Sequence, residues 1–204
     1  MHIHTMTLGA YQTNTYIVEN ENRGVIIDPG YEPDTILEHT HQKGLTVDAI
    51  LLTHGHFDHV GAVEPIVQAT GCALWMSESD WSQTLSPWIS YFYPIANCDF
   101  TQVQFCQHNE EIIAAGLVFK VLQTPGHTYG SVCYLCGDSL FTGDTLFAGS
   151  CGRTDLPGGD PSCMTESLAF LRSLQYAGAI YPGHGPSSTL SYEQETNPYL
   201  KGIV

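Results

Sequence analysis

The chain has 204 residues, 43% of them hydrophobic, with six Lys+Arg against twenty-one Asp+Glu and a formal net charge of −15. That length and apolar content suffice to bury a substantial core as one domain, 1–204. The acidic balance argues against a phosphate backbone as a partner, and the lack of an 18-residue apolar run argues against a membrane span. The start, Met1-His2-Ile3-His4-Thr5-Met6, has neither the cationic nor the apolar region of a signal peptide. Seven scattered cysteines, an odd number without framework spacing, fit free thiols in a reducing cytoplasm.

In chain order, Ile3 to Leu8, Asn14 to Val18 and Gly24 to Ile27 read as strands of a meander. Pro33 to Gln42 reads as a surface helix ended by Gly44. The apolar run Ala49-Ile50-Leu51-Leu52 has the length and residue types of a buried strand. A helix follows from Gly61 to Ala69, with Pro65 in its first turn and Gly71 at its end. The segment Trp75 to Phe100 gathers Trp75, Trp81, Trp88, Tyr91, Phe92, Tyr93 and Phe100, and two readings stand: core, or a lid over a site. More strands run from Val103 to Phe141, and Pro161 to Leu174 reads as a helix. Two strand-rich halves that each close with a helix fit a pseudo-duplicated sandwich. Cys133 and Cys136 lie in an apolar strand, where residues three apart face opposite ways, so they read as core cysteines rather than a redox pair.

Between the buried strand and its helix lies Thr53-His54-Gly55-His56-Phe57-Asp58-His59. Neutral imidazole nitrogen and carboxylate oxygen are the ligands that Zn²⁺ or Fe²⁺ take. His54 with His56, and Asp58 with His59, can aim at two neighbouring points, which suits a two-metal arrangement better than a closed tetrahedral one. Three further pieces share one grammar, an apolar strand, a Gly-containing turn and a single metal-type residue. They are Thr124-Pro125-Gly126-His127-Thr128, Phe141-Thr142-Gly143-Asp144-Thr145 and Tyr181-Pro182-Gly183-His184-Gly185. The candidate ligands are therefore His54, His56, Asp58, His59, His127, Asp144 and His184. Five nitrogens and two carboxylates fill two adjacent sites if one carboxylate bridges, with room left for a hydroxide.

These motifs, with Ile27-Asp28-Pro29-Gly30 and the tail Glu195-Thr196-Asn197-Pro198-Tyr199-Leu200, resemble the metallo-β-lactamase superfamily, and within it the short glyoxalase II-like (hydroxyacylglutathione hydrolase) branch. The resemblance implies an α/β fold, a four-layer αβ/βα sandwich with the site at one edge of two packed sheets. It implies that His54, His56 and His127 hold one metal and Asp58, His59 and His184 a second, with Asp144 bridging. The cofactors implied are two divalent transition metals, zinc first, with iron or manganese as alternatives. Asp144 departs from true β-lactamases of this fold, and His56 from the flavodiiron relatives, which carry Glu there.

The implied chemistry is hydrolysis of a small-molecule thioester by a hydroxide held between the metals and oriented by Asp58 and a helix N-terminus following His59. A thiolate leaves without a strong general acid, so none need be sought. Cys151-Gly152-Arg153-Thr154-Asp155 also resembles the persulfide dioxygenases of the superfamily, which use one iron held by two histidines and an aspartate, and that is the alternative. A non-catalytic metal module fits less well, because this ligand set leaves open positions. Arg153 reads either as a buried local pair with Asp155 or as a receiver of a substrate carboxylate. The stretch after His184 is too short for the helical C-terminal domain that helps longer glyoxalase II enzymes hold glutathione. Arg153 and Lys201 are then the expected substrate contacts, with weak electrostatic capture and a high KM.

Overall fold

The computed structural model describes residues 1–84, 103–176 and 178–201. The first half opens with an antiparallel meander, β1 (His2–Leu8), β2 (Thr13–Asn20) and β3 (Arg23–Ile27). Then come α1 (Pro33–Gln42), β4 (Thr46–Leu51), α2 (Phe57–Val60), α3 (Val63–Thr70), β5 (Ala73–Met76), α4 (Glu78–Thr84) and β6 (Val103–Phe105). The second half runs β7 (Glu111–Ala114), β8 (Leu117–Gln123), β9 (Val132–Cys136), β10 (Ser139–Gly143), β11 (Leu146–Phe147) and β12 (Ser150–Cys151). It ends with α5 (Pro161–Ser173), β13 (Ala179–Pro182), β14 (Ser188–Thr189), α6 (Leu190–Thr196) and α7 (Pro198–Lys201).

Local chemistry explains several boundaries. Pro33 starts α1, where its missing N–H costs nothing. Pro65 falls in the first turn of α3, as its ring requires, and Gly71 ends that helix in the left-handed conformation with its N–H on the Val67 carbonyl. Asp160 caps α5, its carboxylate accepting from the Ser162 and Cys163 N–H groups. One expectation is corrected here. The helix expected after His59 is α3, which begins at Val63, but a separate single turn, α2, precedes it from Phe57 with His56 as its N-cap, so Asp58 and His59 lie within a helical turn rather than in an open loop.

Two six-stranded sheets form, in the orders β1-β2-β3-β4-β5-β6 and β14-β13-β10-β9-β8-β7. Side chains of both sheets, among them Val25, Leu51, Phe119, Tyr134 and Phe141, make the central core. A second core under α1 and α3 holds Ile26, Ile36, Ile50 and Ile66, and a third under α5 to α7 holds Leu140, Leu168, Leu171 and Leu200. Helix, sheet, sheet, helix is the four-layer sandwich expected. Truncating a core residue such as Phe141 to Ala should cost about 3–5 kcal/mol. Cys133 and Cys136 sit in different cores on opposite faces of β9, as alternation predicts. Trp75 packs on the central core and Trp81 on the core under α1; the other aromatics of the 75–100 stretch lie outside the described residues.

Strand direction gathers the site. β3 runs parallel to β4, and β10 parallel to β13, while β8 and β10 are both antiparallel to β9 and hence run alike. Asp28, His54, His127, Asp144 and His184 all follow the C-terminal ends of these strands. Direct bonds tie the two sheets beneath them. The Tyr16 hydroxyl donates to the Pro182 carbonyl (2.6 Å), the Tyr134 hydroxyl to the Leu52 carbonyl (2.9 Å), and the Val132 N–H to the Thr53 carbonyl (2.8 Å).

Candidate metal centre

All seven candidate ligands come together. His54, His56 and His127 form one buried triad, and Asp58, His59 and His184 a second. Asp144 stands between them, with Oδ2 at 3.5 Å from His127 Nε2 and from His184 Nε2, and Oδ1 at 3.4 Å from His59 Nε2. In the second triad His184 Nε2 lies 3.4 Å from Asp58 Oδ2 and from His59 Nε2. In the first, His56 Nδ1 and His127 Nε2 are 2.8 Å apart. Shielded from solvent and without a hydrogen-bond partner among the described residues are His54 Nε2 and Asp144 Oδ1. Such orphaned donor atoms at the focus of two triads fit divalent cations, which would supply the missing partners.

The far side of each ring settles which nitrogen faces the centre. His127 Nδ1–H donates to the Arg153 carbonyl (2.7 Å) and His184 Nδ1–H to the Tyr11 carbonyl (3.2 Å). His59 Nδ1–H donates to Asp28 Oδ2 (3.0 Å). The Thr53 hydroxyl also donates to Asp28 Oδ2 (2.6 Å), which leaves Thr53 Oγ1 to accept from His54 Nδ1–H (3.1 Å). In each of these rings Nδ1 is engaged outward and Nε2 faces the centre, the outer arrangement that metal-ligating histidines require.

Electrostatics differ between the two triads. Burial and the neighbouring imidazoles hold His54 well below its ordinary pKa and bring His56 down to about 3, so both stay neutral donors. Burial alone would lower His184, but Asp144 and Asp58 raise it to about 9. Burial likewise opposes ionisation of Asp144, yet His59 and His184 keep its carboxyl well below the usual range. Close packing adds to the constraint. A Cβ at Gly183 would collide with Asp144 Oδ1 and the His59 ring, so only glycine fits there.

Two buried carboxylates, Asp28 and Asp80, have roles that the sequence alone did not assign. Asp28, in a left-handed conformation at φ 51°, accepts the Thr53 N–H at 2.7 Å besides the two bonds above. Its signal was available: an apolar strand, then Asp-Pro-Gly, the grammar of the ligand loops. Asp80, on α4, accepts from Gly55 N–H (2.8 Å), Gly130 N–H (2.7 Å) and the Thr128 hydroxyl (2.8 Å), and burial raises its pKa. It ties the loop of His54 and His56 to that of His127. Nothing local marks it, because its partners are distant in sequence.

Above the two triads opens a cleft of about 640 Å³ lined by Tyr11, Phe57, Phe147 and Leu156 together with His56, Asp58, His127, Asp144 and His184. Arg153 also lines it, the one cation among its lining residues. The Arg153–Asp155 pair does form, in a bidentate geometry with both bonds 2.7 Å, but it is solvent-exposed rather than buried. The loop bends the Arg153 carbonyl inward to His127 and leaves the side chain outside. Lys201 is exposed on α7 and lines no part of the cleft; its neighbour Tyr199 lines an adjoining hollow.

A metal-dependent hydrolase is the class that this sandwich and this paired centre define. The chain belongs to the metallo-beta-lactamase superfamily, whose family model matches residues 8–184. Hydroxyacylglutathione hydrolase GloC of Haemophilus influenzae is 34% identical over 208 residues, covering 98% of each chain. Among solved structures, TTHA1623 in a di-iron-bound form is 39% identical with a TM-score of 0.83, covering 97% of this chain and all of the other. ETHE1 from Myxococcus xanthus is 30% identical with a TM-score of 0.84, covering 99% of this chain and 85% of the other. Among the described residues no helix is long and apolar enough to cross a membrane.

Proposed function

We propose that the protein hydrolyses thioesters, S-lactoylglutathione and related hydroxyacylglutathiones first among them, at a two-metal centre. The observation that carries this reading is the completed second triad, Asp58, His59 and His184, facing the first across Asp144. A mononuclear-iron persulfide dioxygenase, the second reading, draws its support from the Cys151-Gly152-Arg153-Thr154-Asp155 string, but two histidines and one aspartate would leave that triad without a use. The likeness to GloC, and to TTHA1623 in its di-iron form, supports the two-metal thioesterase. Free cysteines at six described positions agree with a cytoplasmic setting.

Divalent metals at this centre would lower the pKa of water toward neutrality and polarise a carbonyl oxygen. The chain's own residues do the rest. Asp58, whose Oδ2 lies 3.4 Å from Thr13 Oγ1 and from His184 Nε2, would accept a hydrogen bond from the attacking water and orient it. Tyr11, Phe57, Phe147 and Leu156 offer apolar contact to an acyl group and exclude bulk water from the base of the cleft. Arg153, at the rim, can turn from Asp155 to a substrate carboxylate. The departing thiolate is stable near neutral pH, so the absence of a further acid in the cleft lining is no obstacle.

Elemental analysis of protein purified without chelator tests the reading. Asp144→Ala should lower metal at both triads, and His59→Ala should empty the second and abolish most hydrolysis. A single iron that survives His59→Ala undiminished, together with oxygen-consuming persulfide turnover, would transfer the assignment to the dioxygenase.

A further inference from the structure

A separate group of metal-type side chains lies at the opposite end of the first sheet. The catalytic ligands follow the C-terminal ends of β3 and β4, whereas His4 and Glu19 sit toward the start of β1 and the end of β2. In the antiparallel register His2 pairs with Glu19 and His4 with Ile17, so His4 and Glu19 are diagonal neighbours on one face. That face carries Ile17 into the core under α1, and α1 lays His39 of its last turn over the same spot.

Three donor atoms converge there. Glu19 Oε1 lies 3.0 Å from His4 Nε2 and 3.5 Å from His39 Nε2, and all three atoms fall within 4.8 Å of one another. None makes a hydrogen bond among the described residues, and all three are shielded from solvent. Two imidazoles crowd one carboxylate oxygen without either aiming an N–H squarely at it. An ordinary buried ion pair would align its donor. Ligands held tetrahedrally at about 2.0–2.1 Å from a cation stand about 3.3 Å apart, and the 3.0 and 3.5 Å from Glu19 Oε1 to the two imidazole nitrogens bracket that value.

We propose that His4, Glu19 and His39 form a second, non-catalytic site for a divalent transition metal, with zinc the best match to two imidazoles and a carboxylate. The site pins the first strand of the sheet to the helix layer that covers it. His2, its ring 4.4 Å from that of His4, is within reach of a fourth position. Burial keeps His4 below its ordinary pKa, and hence a neutral donor at neutral pH. Glu19 supplies the charge that a cation needs in this half-buried place.

The test uses tag-free protein and counts zinc per chain at saturation, for the parent and for His39→Gln, His4→Gln and Glu19→Gln. The parent should hold one zinc more than each variant, while thioester turnover stays equal in all four. With Co²⁺ as probe, the parent should show a tetrahedral absorption component that the variants lack. Added zinc should raise the Tm of parent protein loaded at its catalytic centre, and leave that of the variants unmoved. If one variant folds poorly, the other two decide. Equal zinc counts in parent and folded variants, or an unaltered Co²⁺ spectrum, would overturn the proposal. Neither result bears on the catalytic assignment, which is read by turnover.

Discussion

Asp28→Asn is the most searching single substitution, because it changes charge and proton positions while preserving shape. Asn tolerates the left-handed backbone found at φ 51°, so no strain is added. Asp28 accepts three hydrogen bonds, from Thr53 N–H, the Thr53 hydroxyl and His59 Nδ1–H, at 2.7, 2.6 and 3.0 Å. An amide can keep its oxygen on the Thr53 N–H only by turning its NH₂ toward the other two. Thr53 Oγ1 must then accept, and its hydroxyl proton turns to His54 Nδ1. His59 Nδ1 must accept as well. In both rings the proton is driven to Nε2, the atom that faces the centre. Losing an outer partner of this kind weakens metal binding by about 10–100-fold, or roughly 1.4–2.8 kcal/mol. The effect should be larger at the second triad, whose His59 touches Asp28 directly. Competition against a chromophoric chelator reads both affinities, and circular dichroism verifies the fold. Parent-like affinities at both triads in a folded Asp28→Asn protein would refute the tautomer argument.

Other expectations follow from particular contacts. Arg153→Ala should raise KM for an anionic thioester several-fold with little change in kcat, Asp155→Ala should lower it by freeing the guanidinium, and Lys201→Ala should leave it alone; steady-state kinetics at two salt concentrations read all three. Gly183→Ala should cost most of the bound metal and activity, because its methyl would displace Asp144 and His59; parent-like metal content would contradict this. Burial raises the thiols of Cys106 and Cys136 to about 11 and of Cys133 to about 12. A thiol pKa higher in the folded than in the unfolded chain adds stability that is intact below about 8.5 and is lost as pH rises through the folded values. Urea midpoints in reducing buffer should therefore fall between about pH 9 and pH 12, and Cys133→Ala should make that fall shallower; a flat profile in the parent would count against it.

Much of the centre was legible because each ligand sits in a short local pattern, an apolar strand followed by a glycine turn. The chain only had to bring the like-directed strand ends together, and parallel pairing of β3 with β4 and of β10 with β13 does that. The start of α2 was not legible, because Phe57-Asp58-His59-Val60 is a single turn with no Ser or Thr cap and no apolar period. Asp80 was hidden for another reason. Its three donors lie twenty-five to fifty residues away, and only the folded chain makes them neighbours. The His4, Glu19 and His39 group was equally silent, since it requires a strand register and a helix packing that no local pattern encodes. Arg153 shows a subtler limit: the sequence names its ionic partner but not that its carbonyl, rather than its charge, holds the candidate ligand His127.

One paired assay tests the assigned reaction. Metal-loaded protein is given S-lactoylglutathione with thioester loss followed optically, and in parallel glutathione persulfide with oxygen uptake recorded. Thioester hydrolysis is expected, lost in His54→Ala, His59→Ala and Asp144→Ala, with no persulfide-dependent oxygen consumption. Oxygen uptake with persulfide and an intact thioester would contradict it.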